Sequence, residues 1–133
     1  MVEVVLADYR NAAHAAALVD LLDAYARDPA GGAAPLEAGV LAGLPAALAA
    51  RPQAFSVLAY DGQAPVGLVN CIEGFSTFAC KPLVNVHDVI VLPSHRGQRI
   101  AQRMLARVEQ EARARGACKL TLEVLSGNAP ALR

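Results

Sequence analysis

The chain has 133 residues, 55% of them hydrophobic and 18% charged, which supplies a core for one globular domain over residues 1–133 and excludes a disordered or fibrous polypeptide. Twelve Lys and Arg balance twelve Asp and Glu, so no global field draws the molecule toward nucleic acid or a membrane surface, and any anion site must be local. Three cysteines, an odd number without paired metal-ligand spacing, indicate neither a disulfide framework nor a metal site and fit a reducing cytoplasm.

Residues 2–7 form a β-branched run, and residues 8–11 offer capping side chains before an alanine-rich stretch that reads as a helix to Ala26. On that helix Leu18, Leu21, Leu22 and Tyr25 recur at three- and four-residue spacing, which predicts a core face. Residues 28–35 read as a loop, and residues 36–50 as a weaker helix that Gly39, Gly43 and Pro45 should shorten or kink. The same glycines and prolines, with Glu37, keep this apolar region from reading as a membrane span. The N-terminus, with Glu3 and Asp8 early and no basic flank, does not read as a secretion signal.

Residues 55–60, a turn at Asp61 and Gly62, and residues 66–72 predict a hairpin, because Asp-Gly supplies the backbone dihedrals of a tight turn. A second connection is expected over residues 74–82. Residues 84–92 then read as an apolar strand, interrupted by Asn85, His87 and Asp88. Two consecutive polar residues in a buried strand need a physical explanation. From Ile100, the positions Met104, Leu105, Val108 and Ala112 repeat at helical spacing up to a C-capping Gly116, and residues 119–125 alternate as a strand. Strand, helix and strand make a βαβ crossover, so the two strands should run parallel. Between the first strand and the helix lie Arg96, Gly97, Gln98 and Arg99, where the first turn leaves backbone N–H groups without intrahelical partners. Those groups, the helix dipole and the arginines favour an oxyanion at the carboxyl end of a strand, where open α/β sheets bind ligands.

The run Arg96, Gly97, Gln98, Arg99, Ile100, Ala101 resembles the signature of the GNAT superfamily of acyl-CoA-dependent N-acetyltransferases: Arg or Gln, two variable residues, Gly, one variable residue, then Gly or Ala. The hydrophobic strand ending at Val91, Leu92 and Pro93, the Met104 and Leu105 pair, and a later strand followed by Asn128 and Ala131 agree with it. The resemblance implies an α/β (α+β) fold, a mixed central sheet with flanking helices around a strand-loop-helix-strand cofactor unit. It implies acetyl-CoA as acyl donor and a primary amine of a small molecule or peptide as acceptor. The signature loop, residues 96 to 101, would hold the pyrophosphate, while the backbone of Val89, Ile90 and Val91, with Asn128, would contact the pantetheine arm.

Relative to the family, Arg99 stands where a glycine is usual, and the chain ends before the family tyrosine and the last two strands, as a C-terminally truncated domain would. The bare edge of the 119–125 strand then offers a route to a homodimer. Catalysis of acetyl transfer needs a neutral amine held against the thioester, so a titratable group on the strand before the loop is the expected base. Asp88 is favoured, because the family often carries an acidic residue there. His87 is the second candidate, and neighbouring strand residues face opposite ways, so one of the two serves. Glu73 and Glu123 are further carboxylates that could meet an acceptor cation. Arg107, Arg113 and Arg115 read as a solvated helix face, and the three cysteines as small core residues. An impaired CoA-binding or interaction module needing a partner strand is the alternative function.

Overall fold

The computed structural model describes residues 1–123. Five strands lie in the order of the sequence: β1 Val2–Leu6, β2 Ala54–Asp61, β3 Ala64–Ser76, β4 Lys81–Val91 and β5 Leu120–Leu122. The first four are antiparallel, and β5 joins β4 in parallel through Val84 with Leu120, Asn85 with Thr121 and Val86 with Leu122. The parallel pair is the expected crossover, made by helix α3, Ile100–Ala114. This is the mixed sheet with flanking helices that the resemblance implies.

Two helices precede β2: α1, Ala12–Arg27, and α2, Ala38–Ala49. Asn11 caps α1 through its Oδ1, which accepts from the N–H groups of Ala13 and His14 at 2.9 and 3.1 Å. Leu18 and Leu21 are buried on its sheet-facing side, and Leu22 and Tyr25 pack beside them half-buried. Helix α2 is shorter than the expected 36–50, Pro45 lies inside it, and no residue of this helix is fully buried. A helix that packs this lightly can tolerate the hydrogen bond lost at its proline.

The sheet carries a core on each face. Phe55, Val57, Val69, Val84, Val86, Val89 and Val91 meet Ile100, Met104 and Val108 of α3. On the other face Leu58, Leu68 and Ile90 meet Ala17, Leu18 and Leu21 of α1. At its C-terminus α3 closes in a Schellman arrangement: Gly116, at φ +76°, donates to Arg113, and Ala117 donates to Ala112. The connection expected over residues 74–82 is shorter in fact. Strands β3 and β4 stay paired to Ser76 and Lys81, and only residues 77–80 turn the chain. The hairpin therefore projects past the rest of the sheet, with Phe75 and Phe78 exposed.

Candidate active site

Strand β4 contains a β-bulge. Asp88 pairs with Asn70 and Val86 pairs with Cys71, so His87 is an extra residue without a partner on β3. This explains the adjacent polar pair. Before the bulge Val84 and Val86 face α3; after it Val89 and Val91 do, and Asp88 turns with Ile90 to the α1 face. The bulge keeps one continuous apolar face on α3 and frees Asp88 from it.

The same register change redirects the backbone. Val84 N–H donates to Lys119 O, and Glu123 N–H donates to Val86 O, so Val84 and Val86 address β5. Past the bulge, Leu92 N–H donates to Val66 O on the β3 side. The intervening Val89 and Val91 therefore present their backbone groups to the β5 side, beyond the last parallel pair among the described residues, at Val86. Ile90, expected to join them at a ligand, lies between them with its backbone groups toward β3 and its side chain buried against α1.

Among the described residues no strand pairs with this edge, which leads into the loop. A single helical turn, Pro93–His95, is followed by Gly97 at φ +80° and Arg99 at φ +61°, the latter at the N-cap of α3. Arg103 N–H donates to Arg99 O, the first bond of the helix. Among the described residues, the N–H groups from Gly97 to Gln102 donate to no backbone carbonyl. The side chains of Ile100 and Ala101 are buried, so at this site they contribute backbone alone. Arg96 donates through Nε to Val91 O at 3.3 Å, joining the loop to the strand edge. The side chains of Gln98 and Arg99 are exposed. Six amide donors and two guanidinium groups at a helix N-terminus fit a diphosphate. Asn128 lies outside the described residues.

The two candidate bases separate. The His87 side chain stands outward at the bulge, with Nδ1 3.7 Å from a carboxylate oxygen of Glu123. Asp88 accepts through Oδ2 from Asn70 Nδ2 at 3.1 Å, and its Oδ1 has no hydrogen bond among the described residues. Behind Asn70, its Oδ1 accepts from Ser56 Oγ at 2.6 Å, and Ser56 Oγ lies 2.8 Å from Tyr9 Oη. Ser56 is fully buried, a lone polar side chain among apolar strand residues. Neither Ser56 nor Asn70 was expected at a site; each is a single polar break in an apolar run, a signal that two β-strand periods in phase would have exposed.

Other expected roles change. Glu73 is held by Arg115 at 3.0 Å and does not stand free for an acceptor. Arg115 is no solvated residue: it also bonds Glu111 and Pro52 O, and its guanidinium lies 4.7 Å from the Phe55 ring centroid. Of the cysteines only Cys71 is a core residue, where burial pushes its thiol up to about 12; Cys80 and Cys118 are exposed. In the native protein at pH 8, Cys80 and Cys118 are expected to react promptly with a disulfide reagent and Cys71 only after denaturation, as counted by absorbance. Among the described residues no cluster of His, Cys, Asp or Glu is arranged to hold a metal, and no helix is long and apolar enough to cross a membrane.

Residues 33–133 match the family described as the acetyltransferase (GNAT) family. No curated protein matches the chain by sequence. Among solved structures, a ribosomal-protein-alanine N-acetyltransferase from Brucella melitensis biovar Abortus 2308 superposes with a TM-score of 0.77 at 21% identity, over 98% of this chain and 85% of that one. An aminoglycoside acetyltransferase from an uncultured soil metagenomic sample, in complex with sisomicin, gives 0.80 at 14% identity, over 98% and 82%. A GNAT family acetyltransferase of Staphylococcus aureus subsp. aureus USA300_TCH1516 gives 0.77 at 14% identity, over 96% and 90%. At these identities the likeness is one of fold.

Proposed function

The chain belongs to the GNAT acetyltransferase family, and on that premise we propose that it transfers an acetyl group from acetyl-CoA to a primary amine of a small molecule or peptide, by direct attack in a ternary complex. The observation that carries this reading is the continuity of three features at the β4 bulge. The backbone edge of Val89 and Val91 runs into the unpaired N–H groups of residues 97–102, and Asp88 stands at the other end of that edge.

When bound, acetyl-CoA supplies an activated thioester carbonyl. The chain's own residues do the remaining work. The loop amides with Arg96 and Arg99 hold the diphosphate, the Val89 and Val91 backbone aligns the pantetheine amides as an added strand would, and Asp88 takes a proton from the incoming amine through its Oδ1. His87 Nδ1 and a Glu123 carboxylate oxygen, 3.7 Å apart, lie beside the bulge. The test is release of free thiol from acetyl-CoA with a panel of amines, after subtracting the signal of Cys80 and Cys118. Amine-dependent release supports the reading, and saturable acetyl-CoA binding without turnover against the whole panel favours the impaired-module alternative.

Arg99 gives a prediction with two opposed signs. A non-glycine residue in the left-handed region costs about 1–2 kcal/mol, and a cation at a helix N-terminus opposes the dipole. Arg99→Gly is therefore expected to raise the free protein's stability by about 1 kcal/mol, after the chain-entropy cost of glycine. The lost guanidinium should meanwhile weaken acetyl-CoA binding, most visibly at low salt. Thermal denaturation and isothermal titration of the same sample check both.

A further inference from the structure

We propose that Tyr9, Ser56 and Asn70 form a directed hydrogen-bond chain that positions Asp88, anchoring its Oδ2 and leaving Oδ1 as the oxygen that takes the proton. The proposal rests on the reading of Asp88 as the base and adds three positioning residues from the loop before α1, from β2 and from β3.

Chemistry fixes the direction. An ionised carboxylate only accepts, so Asn70 must turn its amide nitrogen to Asp88, at 3.1 Å. Its carbonyl oxygen then faces Ser56, whose hydroxyl must donate, at 2.6 Å. With that proton committed, the Ser56 oxygen accepts from the Tyr9 phenol at 2.8 Å. The reverse amide orientation would set Asn70 Oδ1 against the carboxylate, acceptor to acceptor. Burial raises the Tyr9 phenol's ionisation above its ordinary value, which keeps the required donor proton in place. Each donor points toward Asp88, and successive dipoles polarise one another in a region where Ser56 is fully buried.

The geometry also says what the chain does not do. An amide passes no proton without tautomerising, so the proton taken by Asp88 Oδ1 leaves toward solvent and not through Asn70. The chain sets the angle and rotamer of the carboxylate, fixed at one oxygen, while the bulge at His87 sets the face from which it projects.

The first test needs no substrate. In two-dimensional NMR of the free protein, Tyr9→Phe is expected to shift the Asn70 side-chain amide resonances, two links away. An Asn70 amide that responds to Asp88→Ala but not to Tyr9→Phe would overturn a coupled chain. The second test is kinetic. Asn70→Ala is expected to lower kcat on the order of 100-fold with the KM for acetyl-CoA unchanged, Ser56→Ala and Tyr9→Phe less, and Tyr9→Phe should cost nothing further in the Asn70→Ala background. Asn70→Thr serves if the alanine variant fails to fold, as judged by its thermal transition. A folded Asn70 variant with kcat near the parent's, while Asp88→Asn is inactive, overturns the positioning proposal and leaves the base standing. An active Asp88→Asn overturns the base itself.

Discussion

Asp88→Asn is expected to lower kcat on the order of 10²- to 10⁴-fold, the usual contribution of a positioned general base, with little change in the KM for acetyl-CoA. The substitution isolates basicity from geometry. Asparagine keeps an oxygen to accept from Asn70 Nδ2, so the contact with β3 and the packing beside Ile90 persist. The cofactor contacts lie on the Val89 and Val91 backbone and in the loop, which the substitution leaves untouched. His87→Asn is the matched control on the neighbouring residue: its side chain points to Glu123 and not into the Asn70 chain, so it should disturb kcat far less. Steady-state kinetics of both variants with one acceptor decide between the two candidates. A large loss in the His87 variant with a small one in the Asp88 variant would reverse the assignment.

Met104→Ala is expected to destabilise the protein by about 2–5 kcal/mol, the range for truncating a fully buried methionine. Met104 joins the helix that begins at the anion loop to the middle of the sheet. Its thioether fills the notch over Gly67, where a Cβ would come within 2.8 Å of Met104 Cε and 2.9 Å of Sδ. Truncation leaves a void there that neighbouring strands cannot close. Gly67→Ala alone should cost less, because the end of the methionine chain can shift. In the double variant the new methyl partly fills the void, so the two effects should sum to more than the double variant's loss. Urea unfolding of the four proteins measures this coupling; strict additivity would mean that Met104 and Gly67 do not share the space.

Much of this architecture is legible in one-dimensional patterns because local chemistry sets it. The Asn11 cap, the glycine at the β2–β3 turn with φ +62°, the apolar spacing of α3 and the Schellman stop at Gly116 each follow from a few adjacent residues. The loop from Arg96 to Ala101 is legible for the same reason. What escapes is set by residues far apart. The bulge at His87 depends on register with Asn70 and Cys71, and no property of residues 84–92 alone says which of two polar residues is extruded. Ser56, Asn70 and Tyr9 meet only because β2, β3 and the approach to α1 lie side by side. Arg115 reads as solvent-facing by helical period, yet it finds Glu73 and Phe55 across the end of the sheet. Cys80 and Cys118 resemble core residues by type, but each falls in a connection and is exposed. The projecting β3–β4 hairpin is hidden by Gly74, Thr77 and Pro82, which read as a loop although Phe75 pairs with Pro82 in the ladder.

The most direct measurement is isothermal titration of acetyl-CoA into the 133-residue protein, with folding verified by a cooperative thermal transition. One saturable site per chain, weakened by Arg99→Gly and by added salt, is the predicted result. A folded sample that takes up no acetyl-CoA would contradict the account at its centre, because the β4 edge at Val89 and Val91 and the loop amides after it would then not be a cofactor site.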